Sequence, residues 1–594
     1  MEGIDLWCII ISMNSETRTC QNCKGNFVIE PDDFSFYEKI HVPPPTFCPD
    51  CRKQRRLSWR NDTNLYSRQC ELCKKSVISI YAPNGRITVY CQKCWWSDKW
   101  DPKSYGQAYD FSKPFFTQFR ELQGRVPALA TVNDDGIASV NCEYTHDFAF
   151  GKNCYMLFSA WKIEESLYGA HALGGKEIVD TMNSMGGCAY TYETVYTEKC
   201  YQCRYVYYSG ALLDCAFCYD CRDCSDCFMC AGLRHKKYCF KNKQYTKEEY
   251  EKIISTYALD TQSGVERAKK EFQSIYYASP RRFATLRNCA NCTGDGLING
   301  KNSKFCFSVQ RPEDCKWIDN GDAPKDSYDL DSCGETNQCC EGITADQSYR
   351  GLFSIFSWKN TNVTYADGCH SSKDLFGCCG LKKAQYCILN KQYSKAEYKN
   401  LVSKIKQQMD TMPYADKNGA TYKFGEFFPT ELSYFKYNES VAQDYFPLSL
   451  AEVEKKNLAW QDQFQLTTGK ETMRPEQIPD SIHDVPDSIL NEVLACAECG
   501  RNYRVVQAEL KFYRRMAIPI PRRCFYCRHR SRFALRNPFK LFHRQCMCDY
   551  SAYKNSSIHP HHPAGRCPNE FETPYANGRP EIVYCEQCYQ AEIV

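Results

Sequence analysis

Between residues 141 and 407 the apolar positions come in short words, not long runs. Cys154-Tyr-Met-Leu-Phe, Arg204-Tyr-Val-Tyr-Tyr and Asn362-Val-Thr-Tyr fall between turns rich in Gly, Asn and Asp, which predicts short β-strands joined by tight turns. The words recur. Cys203, Cys215, Cys227 and Cys239 are each 12 residues apart, as are Cys142 and Cys154, Cys188 and Cys200, and Cys218 and Cys230; Cys315, Ser327 and Cys339 keep the same step. A short fixed period of strand and turn is what stacked β-coils require, because each coil covers the apolar face of its neighbour. A longer repeat contains this one. Tyr238-Cys-Phe-Lys-Asn-Lys-Gln-Tyr-Thr returns 148 residues later as Tyr386-Cys-Ile-Leu-Asn-Lys-Gln-Tyr-Ser. Asn141-Cys142 and Asn288-Cys289 open the two copies, and each copy closes on a polar helix with Thr246 or Ser394 as N-cap.

Outside this region the pattern changes. Ser112-Lys-Pro-Phe-Phe-Thr-Gln-Phe-Arg-Glu-Leu reads as a capped amphipathic helix. Residues 425–462 are aromatic and are expected to pack on the second repeat, whereas 466–490 carry Thr, Lys, Glu and three Pro and read as a flexible linker. No stretch approaches the roughly 18 apolar residues of a membrane span.

The ends carry a different cysteine pattern. Cys20-x2-Cys23 with Cys48-x2-Cys51, and Cys70-x2-Cys73 with Cys91-x2-Cys94, are paired CxxC knuckles that supply four thiolates each. The plan repeats with an offset of 476, as Cys496, Cys499, Cys524, Cys527 and Cys546, and the match includes Phe36-Tyr37 with Phe512-Tyr513 and Arg68-Gln69 with Arg544-Gln545. The last site departs from it: Cys546-x-Cys548 precedes an insertion carrying His559, His561, His562 and Cys567, and Cys585-x2-Cys588 follows. Cys546, Cys548, Cys585 and Cys588 are the expected ligands, with Cys567 or an inserted histidine as the alternative. Sites filled by four protein ligands leave no open position for water, so about four structural zinc ions per chain are expected, none of them catalytic.

The second CxxC of each outer site runs into basic sequence. Arg52, Lys53, Arg55, Arg56 and Arg60 follow Cys51; Arg522, Arg523, Arg528, Arg530, Arg532, Arg536 and Arg544 surround Cys527, and no Asp or Glu occurs between Lys511 and Gln545. Either run would form a helix anchored at the zinc. Such uncompensated charge suits a phosphate backbone, with the interleaved aromatics able to stack on bases. These twelve residues are therefore the expected nucleic-acid or ribonucleoprotein contacts, and an acidic protein surface is the alternative partner. An acidic stretch within the chain, Glu313 to Asp346, holds ten Asp and Glu against two Lys and could itself receive the basic C-terminal module. It lacks the loop spacing of an EF-hand.

The thiols of the middle fall every third residue from Cys215 to Cys230, a spacing that invites iron–sulfur or further zinc ligation. The second copy has Val363, Ala366, Cys369, Ser372, Leu375 and Cys378 at the same places. A packed column accepts those substitutions and a cluster does not, since a free thiol behaves as a small hydrophobe. No phosphate-cradling glycine loop, Gly-x-Ser-x-Gly elbow or His-Glu-x-x-His occurs, so the reading leans away from an enzyme; a structural scaffold mediating protein–protein contacts is the alternative to nucleic-acid binding, and a polysaccharide-acting solenoid a second one.

Cys524-Phe-Tyr-Cys-Arg-His, Asn537-Pro-Phe-Lys-Leu-Phe-His-Arg-Gln-Cys, Arg566-Cys-Pro-Asn-Glu-Phe, Glu581-Ile-Val-Tyr-Cys-Glu-Gln-Cys-Tyr and Gly425-Glu-Phe-Phe-Pro give the chain a resemblance. It is similar to the cysteine-rich zinc-ribbon, treble-clef-like proteins of candidate-phyla bacteria (Patescibacteria), a family without an assigned activity. The resemblance covers most of the chain and implies metal binding in a bacterial cytoplasm. Composition adds scale: 594 residues with 41 Cys and net charge +4 bound several domains, and so many thiols with no secretion signal point to a reducing cytoplasm, where disulfides are rare. The expected fold is mainly β with small α+β zinc modules. A two-site zinc-binding module occupies 14–102, a helical connector 103–140, the first β-solenoid-like repeat 141–257, a second connector 258–287, the second repeat 288–407, an aromatic segment 408–465, the linker 466–490 and the second two-site module 491–594.

Overall fold

The computed structural model describes residues 14–593 except 86, 134–138, 171–178, 183–193, 196–201, 319–320, 554 and 556. Cys8 and the Cys188–Cys200 step lie outside the described residues. The protein is sheet-rich, with two large parallel arrays and many small two-stranded sheets. No helix among the described residues is long and apolar enough to cross a membrane.

Both arrays pair most of their strands with the stretch twelve residues later. Val206 lies beside Cys218 and Cys218 beside Cys230 in the first; Val363 lies beside Leu375 and Leu375 beside Cys387 in the second. The sequence period is thus the pairing register. A second period lies beneath it. Every third residue from Asn141 to Tyr168 has φ between 49° and 57°. A left-handed residue at every third position breaks the two-residue alternation of an ordinary strand, and every third side chain then faces the interior. Cys215, Cys218, Cys221, Cys224, Cys227 and Cys230 are accordingly all buried in one cluster, with Cys218 beside Cys230 in the register.

Hydrogen bonds explain why thiols and hydroxyls share this interior. Cys306, Cys315, Cys369 and Cys378 each direct Sγ to the carbonyl nine residues on. Ser303, Ser327 and Ser357 each accept the N–H twelve residues on. Short side chains that satisfy backbone groups fill much of the narrow interior at little cost in lost hydrogen bonds.

The closing helices begin where the sequence places them. Lys247–Ser255 is capped by Thr246 with Glu249, and Lys395–Thr411 by Ser394 with Glu397, each a reciprocal capping box. The connector helices are Phe115–Gln123, entered at Pro114, and Gln262–Ala278. Residues 466–490 are not a loose linker. Ile478, Ile482, Val485 and Ile489 are buried with Val265, Ala268, Phe272, Phe512 and Met516, so four well-placed aliphatics bind a segment whose composition is otherwise polar.

The duplicated parts pack crosswise. The N-terminal module docks on the second array, where Phe36 stacks on Tyr328 at 3.8 Å between ring centroids and shares a core with Phe353 and Tyr365. The C-terminal module docks on the first, where Phe525 stacks on Tyr168 at 5.6 Å. The correspondence holds between single residues. Asp33 pairs with Lys316, and Glu509, 476 residues after Asp33, accepts from the hydroxyl of Tyr168, 148 residues before Lys316.

Candidate metal centres

Three four-cysteine groups assemble as the spacing predicts: Cys20, Cys23, Cys48 and Cys51; Cys70, Cys73, Cys91 and Cys94; and Cys496, Cys499, Cys524 and Cys527. In each, the first pair closes a two-stranded hairpin and the second pair opens a helix. The hairpins are Glu16–Thr19 with Asn26–Ile29, Tyr66–Gln69 with Ser76–Ser79, and Leu494–Ala495 with Asn502–Tyr503. Cys48, Cys91 and Cys524 are the N-caps of helices Pro49–Leu57, Gln92–Trp95 and Phe525–Phe533.

The sulfurs are arranged for a tetrahedral ion. Cys23 and Cys48 lie 3.7 Å apart, Cys73 and Cys91 3.9 Å, and Cys499 and Cys524 3.7 Å. Metal–sulfur bonds of about 2.3 Å at tetrahedral angles set an S–S edge of about 3.8 Å. Backbone amides favour the thiolates: Cys48 N–H donates to Cys20 Sγ at 3.3 Å, Cys91 N–H to Cys70 Sγ at 3.2 Å and Cys524 N–H to Cys496 Sγ at 3.2 Å. Burial opposes ionisation at Cys70 and Cys496, but such amide bonds bring both thiols down to about 7.

The fourth group corrects the expected ligand set. Cys546, Cys567, Cys585 and Cys588 come together, while Cys548 groups with His559, His562 and Cys588. The hairpin register gives the reason. Gln69 faces Ser76 in the second site and Gln545 faces Glu570 here. The Cys70 N–H to Lys75 carbonyl bond becomes Cys546 N–H to Asn569 carbonyl, at 2.9 and 2.8 Å. Cys567 therefore stands where Cys73 stands, and residues 548–565 are inserted within the knuckle. The signal was present in the spacing: seventeen residues separate Cys567 from Cys585, as they separate Cys73 from Cys91.

The basic residues proposed as nucleic-acid contacts mostly point inward. Arg52 meets Asp329 at 2.8 Å, Arg56 meets Asp331 at 2.7 Å, and Arg55 bridges Glu341 at 3.1 Å and Glu426 at 2.9 Å, all with nearly fully buried side chains. Arg60 joins Asp62 and Asp147 at 2.7 and 3.2 Å. Lys53 is buried over the Phe539 ring at 3.5 Å. Arg528 and Arg532 are buried, Arg544 reaches the Tyr575 and Ala576 carbonyls, and Arg536 lies over Tyr445 and Phe539. Arg522 donates to the Ile478 and Pro479 carbonyls. Arg523 and Arg530 stay at the surface, both beside Glu498. The acidic stretch does receive a basic helix, but that of the N-terminal module: its register places Asp329, Asp331 and Glu341 opposite Pro49–Leu57. No protein-family model and no curated protein matches this chain.

Proposed function

We propose that this is a zinc-clamped, non-catalytic scaffold protein, in which two treble-clef-like modules lock two β-solenoid units into one rigid body. The observation that carries the reading is the use of charge. Arg52, Arg55 and Arg56 are buried against Asp329, Asp331, Glu341 and Glu426, and Arg528 and Arg532 are buried in the other module, so these cations cannot reach a phosphate backbone. The choice of zinc rests on donor chemistry: all-thiolate tetrahedra select zinc over hard cations. The recurring twelve-residue register supports the solenoid. A nucleic-acid role would fall to surface groups such as Arg523, Arg530 and Lys540. Titration of the full chain with duplex DNA and single-stranded RNA at low salt tests the choice: no salt-dependent binding is expected, and affinity falling steeply with salt would return the protein to the nucleic-acid class. Elemental analysis showing iron in place of zinc would overturn the metal assignment.

A further inference from the structure

The insertion in the last knuckle is short of apolar residues, and Ile558 within it is 75% exposed. Yet it buries His559 completely and His562 almost so, beside the fully buried Cys548 and Cys588. A polar loop held this way needs a staple other than a hydrophobic core. The donors supply one. His559 Nδ1 lies 3.4 Å from Cys548 Sγ and 3.2 Å from His562 Nε2, and His562 Nε2 lies 3.2 Å from Cys588 Sγ. Bonds of about 2.0–2.1 Å to nitrogen and 2.3 Å to sulfur set tetrahedral edges of about 3.3 Å for N–N and 3.5 Å for N–S. The surroundings orient these donors. Glu592 takes His559 Nε2 at 2.8 Å, which leaves the Nδ1 lone pair free to bind and is the carboxylate–histidine arrangement found behind metal ligands. Asn555 Nδ2 donates to Cys548 Sγ at 3.2 Å and its carbonyl accepts from Tyr584.

We propose that this corner holds two metal ions. Cys546, Cys567, Cys585 and Cys588 bind one, and Cys548, His559, His562 and the same Cys588 bind the other. A thiolate sulfur has lone pairs enough to bridge, and Cys588 is common to both groups. His561 closes over the shared sulfur, its Nε2 3.2 Å from Cys588 Sγ. The inference rests on the zinc reading above and adds a fifth ion to it. Metal content of the full chain, purified with zinc and dialysed, tests it. About five zinc per chain are expected for the wild type and about four for both His559→Ala/His562→Ala and Cys548→Ser. Four zinc in the folded wild type, or a count unchanged by these variants, would overturn the second ion while leaving the zinc reading standing. No zinc at all would defeat that reading instead. Cobalt substitution gives a readout independent of the variants: the fifth equivalent should add d–d bands of a mixed nitrogen–sulfur tetrahedron, and bands of four-sulfur sites alone would count against the proposal.

Discussion

Cysteine does two jobs in this chain, and the hydrogen bonds around each sulfur tell them apart. Where the sulfur only accepts, as Cys20 does from the Cys48 amide and Cys51 does from Asn22, the surroundings favour a thiolate and a metal. Where the sulfur lies against a carbonyl, as Cys306 and Cys378 do, they favour a protonated thiol that packs. Cys48→Ser should therefore remove one metal per chain and melt helix Pro49–Leu57, because the folding of such a knuckle is coupled to its metal. Cys306→Ala should leave the metal content unchanged and cost about 1 kcal/mol. Elemental analysis beside denaturant unfolding separates the two, and loss of metal from Cys306→Ala would break the distinction. CxxC spacing made the three regular sites readable because a knuckle is a local structure. Cys567 was harder to read because an insertion separates it from Cys546; its distance from Cys585 was the local clue, and the pairing of Gln545 with Glu570 places it. Titration can also be argued at this scale. Asp367 accepts from Gln123 at 2.9 Å and Tyr434 at 2.6 Å, but burial pushes its carboxyl up to about 6. An unfolded Asp titrates near 4, so between those values the folded protein holds the proton more tightly. The contribution to stability is full below about pH 4 and is lost as pH rises through 6. From pH 5 to 7.5 the stability of Asp367→Asn relative to wild type should therefore improve by about 1 kcal/mol; a difference independent of pH would contradict this.

At the scale of elements, the sequence was most legible where the signal was local. Thr246 with Glu249 and Ser394 with Glu397 mark two helix starts, because a capping box satisfies orphan N–H groups with side chains three residues apart. Thr246→Ala should cost about 1 kcal/mol in equilibrium unfolding, and a change near zero would mean that packing of Tyr250 alone holds the helix. The twelve-residue step was legible for the same reason, since it is the register of one stretch against the next. Residues 466–490 were not legible. Ile478, Ile482, Val485 and Ile489 are few among Pro, Thr and charged residues, and composition weighs their number. Their stability comes from where they land, in one core with Val265, Phe272, Phe512 and Met516, which no local window contains.

At the scale of the whole molecule, two internal duplications meet crosswise, the first module on the second array and the second module on the first. Neither offset alone foretells this, because a repeat says which parts are alike and nothing about which parts touch. Charge came closest. The excess of carboxylates from Glu313 to Asp346 required cations, and both modules offered them. What decides between the modules is geometry: Arg52, Arg55 and Arg56 rise from one helix at the spacing that meets Asp329, Asp331 and Glu341 across adjacent strands. Once buried, these pairs are worth more as a constraint on position than as net stability, since desolvation offsets much of their attraction. Removing one partner has no such compensation. Arg56→Ala leaves Asp331 buried without its nearest cation, at a cost of about 3–5 kcal/mol. If docking is crosswise, that loss should loosen the second array and spare the first. Hydrogen exchange of the full chain should then speed up across Cys340–Ile343 and Tyr349–Ile355, while Arg222–Ala231 keeps its protection. Equal loosening of both arrays would mean that the protein opens as one unit, and loosening confined to Arg222–Ala231 would reverse the assignment of module to array.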